Sequence, residues 1–331
     1  MIGKLMGFKE FWVLLFVLAF ASFSSAGEFP KKQIEILMPY GIGGYTPIAY
    51  RVVADIMSKH FSRPVILLPS EGAGGTLAGE KVAKRVNPDG YTLLQCNSAT
   101  NVNALHIKKG VNYTMDDFIY LAEVCACDLA LIAAPDAPFK TLEEYVAFAR
   151  KNPNTIKHSS TGVGTSGHLC LELLKIKAGG LKIDLVPFKT QFDVEKAVLG
   201  GHCHSAFVYG GGGGPNDTIQ KTIEGGGRVL AVATKKRLEA WPEIPTFTEK
   251  GLDVVFSAWY GVAGPKALPN EVVLSLKNAL YKAIQDPQVV KVVKSVGFRH
   301  EFRKNEEFTR FVKEYNTLVE MIVTEAKIPK N

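Results

Sequence analysis

The sequence predicts an α/β protein built from two units joined by two long crossover strands, and three observations lead there. Short β-branched runs alternate with helix-period patterns along most of the chain. The alternation restarts near residue 140. Two apolar, strand-like segments, Ile119 to Ala133 and Val255 to Val262, are longer than a sheet within one unit needs. Alternating strands and helices build a parallel sheet covered on both faces, with ligands at the carboxyl ends of its strands. At roughly 150 residues per unit, a chain of 331 residues holds two.

In the first unit Ile34 to Met38 reads as a strand, and Ile48 to His60 as a helix because Ile48, Val52, Val53, Ile56 and Met57 recur on one face. Val65 to Leu68 is a second strand. Thr76 to Val86 is a helix stopped by the turn cluster Asn87-Pro88-Asp89-Gly90, and Tyr91 to Cys96 is a third strand. The second unit opens on the capping box Thr141-Leu142-Glu143-Glu144, which starts a helix running to Lys151. Strands at Lys157 to Ser160, Leu185 to Phe188, Ser205 to Tyr209 and Val229 to Ala233 follow, separated by helices at Gly167 to Lys177, Asp193 to Leu199 and Thr218 to Glu224. The glycine run Gly210 to Gly214 is either a loop whose backbone passes close to something or a flexible lid. The tail reads as helices Glu271 to Gln285, Gln288 to Val296 and Glu306 to Glu325. The last carries Phe308, Phe311, Val312, Tyr315, Leu318, Val319 and Ile322 on one face. These helices are expected to close the first unit, so that residues 27–124 and 256–331 form one domain and 125–255 the other.

Apolar residues at 47% and charged residues at 21% exclude a disordered tail, a collagen-like rod and a polytopic membrane protein. The net charge of +7 is scattered; it weakly favours anionic small ligands and does not indicate nucleic acid. Lys4 and Lys9 precede the apolar run Phe11 to Phe23, which ends at Ser24-Ser25-Ala26. Spanning a bilayer takes roughly 20 residues, so this shorter run reads as a cleavable export signal, residues 1–26, cut after Ala26. Five cysteines argue against a complete disulfide framework, and each sits in an apolar stretch as a small buried hydrophobe. His202, Cys203 and His204 cannot all reach one ion, because neighbours on a strand face opposite ways. No metal or cofactor is expected.

The most informative segment is Pro39-Tyr40-Gly41-Ile42-Gly43-Gly44-Tyr45-Thr46-Pro47, between the first strand and its helix. Three glycines permit a tight turn, Thr46 reads as the N-cap and Pro47 as the first helical residue. Free amides then face the strand ends, where a carboxylate can dock. Ser159-Ser160-Thr161-Gly162-Val163-Gly164-Thr165-Ser166-Gly167-His168 repeats the device in the second unit, with hydroxyls of Ser160, Thr161, Thr165 and Ser166 as further donors. The candidate ligand-binding residues are therefore Tyr40, Gly41, Ile42, Gly43, Gly44, Tyr45, Thr46, Gly75, Asn97 and Ser98 on one side. On the other they are Thr161, Gly162, Val163, Gly164, Thr165, Ser166, His168, Lys189 and Tyr209. His168 is either a ligand contact or a packed histidine, and Lys189 either a cation at the site or a solvated one. Residues 162 to 167 also spell G-x-G-x-x-G, but Asp184 precedes its strand instead of closing it, and an exported protein meets little NAD. No nucleophile and base stand at a suggestive spacing, so no enzyme is expected. A nucleotide- or phosphate-using enzyme on the Gly162 loop and an exported signalling adaptor are the alternatives.

Six ordered motifs carry a family resemblance over roughly residues 30 to 328. They are Pro39 to Gly44, Gly72-Ala73-Gly74-Gly75, Pro88 to Leu94, Thr161 to Thr165 with His168-Leu169, Val186-Pro187-Phe188-Lys189, and Pro245-Thr246 with Glu249 to Gly251. The chain resembles the substrate-binding receptors of the tripartite tricarboxylate transporters, the Bug receptors of the bacterial periplasm. The resemblance implies a two-domain periplasmic binding protein of type II, a Venus-flytrap clamp that captures an organic acid and passes it to a membrane permease, working as a monomer. It also implies that the loop after the first strand holds a carboxylate, partly through water, while the Thr161 to Ser166 loop grips from the other side. Pro47 stands where the family often has Asp, which removes a partner for an amino group and favours a plain carboxylate over an amino acid. Pro69 stands where it has Asn, and Tyr45 replaces a small residue. Tyr45, Tyr40, Tyr209 and Trp259 either offer faces to a bulky or aromatic acid or belong to core and rim; a dicarboxylic ligand is equally open.

Overall fold

A computed structural model of the chain describes residues 29–214 and 217–331. The expected export signal lies outside the described residues. Three strands of the first lobe, β1 (Ile34–Met38), β2 (Val65–Pro69) and β3 (Thr92–Asn97), run parallel with β1 in the middle. Helix α1 (Tyr45–Phe61) joins β1 to β2, and α2 (Thr76–Glu80) follows β2. The expected helix to Val86 continues past α2 only as a π turn over Lys81–Arg85. After β3 the chain enters a helical stretch that the sequence did not announce, a π turn at Ala99–Asn103 running into α3 (Ala104–Ile107).

The first crossover, β4 (Phe118–Ala133), is 16 residues long and nearly all buried. In the second lobe, α4 (Leu142–Lys151), β5 (Lys157–Ser160), α5 (Ser166–Lys177), β6 (Asp184–Pro187), α6 (Gln191–Leu199), β7 (Ser205–Gly210), α7 (Thr218–Glu224) and β8 (Arg228–Val232) follow in the expected order. Here β5 lies parallel between β6 and β7. The return crossover is β9 (Ser257–Pro265), and α8 (Asn270–Ile284), α9 (Pro287–Ser295), β10 (Arg299–His300) and α10 (Asn305–Glu325) complete the chain. The ten strands of the described residues form one sheet, ordered β2-β1-β3-β9-β4-β7-β5-β6, with β8 and β10 also paired to β4. The two parallel triplets are thus joined by the antiparallel pair β9 and β4, as two crossovers demand. This is a two-lobed α/β fold.

Between the lobes β4 shifts register against β9 at Tyr120/Ala122 and again at Glu123/Cys125. Such irregularities place extra residues on one strand and increase its twist, which suits a sheet that must turn between two lobes. A third segment braces this hinge. Arg299 and His300 of β10 pair with Ala126 and Cys125, Arg303 pairs its guanidinium with the buried Glu123, and Arg299 binds Asp128 through Nε at 2.6 Å and Nη2 at 3.1 Å.

Period-two alternation distributes each strand between two cores. Ile34, Ile36 and Met38 of β1 pack with α1, α8 and α9, whereas Leu37 joins the cluster that includes α10 and the second lobe. The apolar face expected for α10 is the one buried, with Phe308, Val312, Tyr315, Val319 and Ile322 inside. That helix touches β4, the 99–103 turn and, in the second lobe, α5. Trp259 belongs to this core: it is fully buried, with Tyr120, Phe308, Phe311 and Tyr315 around it, and so offers no face to a ligand. All five cysteines are buried and free.

Candidate functional site

Both glycine loops follow a strand at its carboxyl end and open a helix. In the first, Gly41 takes φ of +79°, a conformation favoured by glycine. Helix α1 then begins two residues earlier than its sequence pattern indicates: Gly44, extended at φ −90° and ψ −174°, is the N-cap, and Thr46 and Pro47 are the second and third helical residues. Pro47 still loses nothing there, because the first four helical amides have no intrahelical partner. Thr46 therefore does not cap the helix. Among the described residues no acceptor meets the amides of Ile42, Gly43 or Gly44.

The second loop is more self-contained. Gly162 and Gly164 take φ of +117° and +86°. Thr165 is the N-cap of α5, but its hydroxyl donates to Gly162 O at 2.8 Å and meets Ser160 Oγ at 3.3 Å, so it caps nothing. The donors expected from Ser160 and Thr165 are thus turned into the loop itself. His168 is also turned inward: it is 6% exposed, and its Nδ1 accepts the Gly164 amide at 3.1 Å. Burial lowers its pKa, the nearby Glu172 opposing. The Gly164 amide is thereby taken by the loop's own histidine.

The two helix starts share a property. Among the described helices of seven residues or more, α1 and α5 alone begin with neither a side-chain cap nor an acidic residue in the first turn. Thr141, Thr190, Asp217 and Asp286 cap α4, α6, α7 and α9, while Glu271 and Glu306 stand in the first turns of α8 and α10. Each of those helices supplies its own answer to the unpaired amides and the positive end of the dipole. Helices α1 and α5 leave theirs open.

The stretch after β3 brings the loops together. Tyr40 keeps 53% of its surface exposed, but its hydroxyl is enclosed, donating to Gly74 O and meeting Thr100 Oγ1, both at 3.2 Å; burial raises its pKa. A Cβ on Gly75 would lie 2.6 Å from Thr100 Oγ1 and 2.9 Å from the Tyr40 ring, so only glycine permits that approach. From the same stretch Asn103 Nδ2 donates to Gly164 O at 3.3 Å, and Ile107 lies 2.9 Å from where a Gly164 Cβ would be. One lobe's Tyr40 and Gly75 and the other lobe's Gly164 therefore close on residues 100–107. Ser98, Ser166 and Asn103 surround the hydroxyl of Tyr315, and Ser166 also lies near that of Tyr209. Burial raises both tyrosine pKa values, and these neighbours oppose it. Asn97 serves the turn: its Oδ1 accepts from Thr100 N at 2.9 Å. Tyr45, Ile42 and Val163 are exposed, and Thr161 is half-buried. Lys189 is not drawn into this set; it is exposed, just before the α6 cap Thr190, with no ion pair among the described residues.

Sequence reasoning missed Thr100, Asn103, Tyr315 and Lys108. The signal was present in Asn97, Asn101 and Asn103, a polar run directly after a strand end, where open α/β sheets hold ligands. These asparagines are at most 2% exposed, and Asn97 Nδ2, Asn101 Nδ2, Asn103 Oδ1 and the Tyr315 hydroxyl find no hydrogen-bond partner among the described residues. Lys108, its pKa lowered by burial, donates to Ala73 O at 2.8 Å in the Gly72 to Gly75 loop. Glu71 brings an acid to the edge of the first loop, its Oε1 lying 2.5 Å from where a Gly41 Cβ would be.

Two other features lie outside the glycine loops, although the second shares Tyr315 with this site. The run Gly210 to Gly214 is no lid: the Gly211 and Gly213 amides donate to Asp217 Oδ2 at 3.0 and 2.7 Å, and a Cβ on Gly212 would lie 2.7 Å from the backbone of Gly297. Its anion is internal. A cavity of 820 Å³ between α10 and the segments 234–239 and 253–257 contains none of the loop residues. Three of its arginines are engaged, Arg299 by Asp128, Arg303 by Glu123 and Arg237 by Glu249, while the fourth, Arg310, has no ion pair among the described residues.

Comparison with known proteins agrees with this architecture. Residues 49–328 match the model of the tripartite tricarboxylate transporter family receptor. A UPF0065 protein in the gbd 5' region of Cupriavidus necator is 30% identical over 293 residues, 88% of this chain and 86% of that one. A TctC solute-binding protein from Polaromonas, solved without ligand, superposes with a TM-score of 0.77 at 24% identity, covering 90% of this chain and all of that one. R. palustris Rpa4515, solved with adipate, gives 0.75 at 23%, covering 92% of this chain and all of that one. With the fold, the paired loops and a family match over most of its length in agreement, the chain belongs to the tripartite tricarboxylate transporter receptor family.

Proposed function

We propose that this receptor works in the periplasm, capturing a small organic carboxylate between the amino ends of α1 and α5 and delivering it unchanged to a tripartite tricarboxylate-type permease. The observation that carries this reading is the pair of open helix starts, one per lobe, on loops that close on the same residues 100–107. Residues 125–255 then move as one body against 27–124 and 256–331, with β4, β9 and β10 as the hinge. The adipate in Rpa4515 belongs to that protein; at 23% identity the likeness concerns the fold. For this chain the carboxylate is argued from its own amides.

The magnitudes suffice only if the lobes close. A helix start stabilises a nearby anion by about 0.3 to 1 kcal/mol when exposed and up to about 2 when partly buried, so two give at most about 4. Micromolar affinity needs about 8. Charge-assisted hydrogen bonds of about 1.5 to 3 kcal/mol each cover the difference once water is excluded. A thermal-shift and calorimetric screen of mono-, di- and aromatic carboxylates is the test. At least one acid should bind with one-to-one stoichiometry and raise the melting temperature; a screen in which nucleotides alone stabilise the protein contradicts the receptor reading.

A further inference from the structure

The surface around the two loops says what kind of acid fits. Among the described residues nine large hydrophobic side chains are exposed, and seven of them follow the carboxyl ends of four strands. Tyr40, Ile42, Tyr45 and Ile48 lie after β1, Leu77 after β2, Val163 after β5 and Phe192 after β6, at 41% to 71% exposure. Only Ile223 and Leu274, on α7 and α8, lie elsewhere. Apolar side chains left in water singly need no explanation, but a set gathered on one mouth marks a surface that is covered in use. Both lobes contribute to it, and Ile42 and Val163 stand on the two loops whose Tyr40 and Gly164 approach residues 100–107.

The charged groups nearby point the same way. Arg51 is engaged by Ile42 O at 3.1 Å and Lys108 by Ala73 O at 2.8 Å, while Glu71 sets an acid against Gly41. Lys189, three residues before Phe192, is exposed with no ion pair among the described residues, so one cation is left for a single acid group beside a mostly apolar rim.

Resting on the receptor reading above, we propose that the ligand is a carboxylate with an apolar body, aliphatic or aromatic, whose acid group sits on the helix starts and whose body lies between Ile42 and Tyr45 of one lobe and Val163 and Phe192 of the other. Closure then buries ligand and rim together. The rim selects against small hydroxylated or multiply charged acids, because each would leave polar groups facing apolar side chains.

Calorimetry over the series acetate, butyrate, hexanoate and octanoate, with malate and citrate beside it, tests this. Each buried methylene strengthens binding by at most about fourfold, equivalent to about 0.8 kcal/mol. Kd should fall about two- to fourfold per methylene, with octanoate at least tenfold tighter than malate or citrate. The double variant Ile42→Ser, Val163→Ser should weaken octanoate about tenfold and lower the gain in affinity per methylene. Both side chains are exposed, so an unchanged melting temperature certifies the fold. A flat series, a variant that treats octanoate as wild type does, or malate or citrate binding as tightly as octanoate overturns the apolar class and leaves the receptor standing. If neither these acids nor the aromatic carboxylates of the screen bind, the receptor reading falls with it.

Discussion

Replacing Gly44 by Asp would put the protein's own carboxylate where the ligand's is proposed to sit, and it separates stability from binding. Gly44 is the N-cap of α1 with extended dihedrals that any residue adopts, and its nearest neighbour to a new Cβ is Pro47 Cδ at 4.0 Å. An Asp there caps the open amides, meets the positive end of the helix and removes backbone freedom from the unfolded chain; together these are worth about 1 kcal/mol. For a chain of this size that raises the melting temperature by about 2 °C. The ligand, however, loses up to about 2 kcal/mol from the helix start and meets a like charge. At about 5 Å and an effective dielectric near 20, that repulsion is about 3 kcal/mol. Allowing for relaxation, a net loss of at least about 2 kcal/mol weakens binding about 30-fold. Differential scanning fluorimetry and calorimetry with the best acid of the screen should show a more stable protein that binds worse. A misfolded variant would lose both, so the opposed signs are diagnostic. If Gly44→Asp is stabilised yet binds with native affinity, the anion does not sit on α1.

Other expectations follow from individual residues. Gly43→Val should keep the fold, since nothing lies within 4 Å of its Cβ, and lose binding by covering the loop; Gly164→Val should lower the melting temperature, because its φ of +86° and Ile107 at 2.9 Å both oppose a side chain. Glu123 has its carboxyl pushed up to about 7 by burial, against Arg303 and Arg299. A raised carboxyl pKa gives stability that is full below the ordinary value and is lost as pH rises through about 7. Melting curves from pH 5 to 8 should therefore fall less steeply for Glu123→Gln than for wild type, and parallel curves would refute the shift. Trp259→Ala empties the centre of the hinge core and should cost about 3 to 5 kcal/mol in urea denaturation. Tyr315→Phe removes a buried hydroxyl that finds no partner, so its melting temperature should equal or exceed that of wild type; a clear fall would show that the hydroxyl is satisfied.

Glycine and the period of apolar residues act over a few neighbours, and what they encode was legible in the sequence. The strand, glycine turn, helix order at 34–61 and 157–177, the parallel triplets and the buried face of α10 all follow from patterns within one or two turns of chain. The exact start of α1 was missed because Thr46 is a good cap by type, while backbone geometry gave that place to Gly44. The run of Asn97 to Asn103 escaped because asparagine, serine and threonine compete with helix formation locally, and only enclosure by Tyr40, Gly164 and α10 makes a buried helical stretch of it. The glycines at 210–214 could be a lid in sequence terms, since their local freedom says nothing of Asp217 or Gly297 beside them.

The sequence by itself determined the two α/β lobes, the crossovers and the two glycine loops, because each is written in local periodicity and turn chemistry. Tertiary structure alone decided which donors stay open and which are taken inside, as the Gly164 amide is by His168, the Thr165 hydroxyl by Gly162 O and the Gly213 amide by Asp217, and that apolar side chains after strand ends of both lobes stay exposed. Those outcomes depend on partners distant along the chain, and a hydrogen bond or a buried contact exists only once folding has brought both ends together.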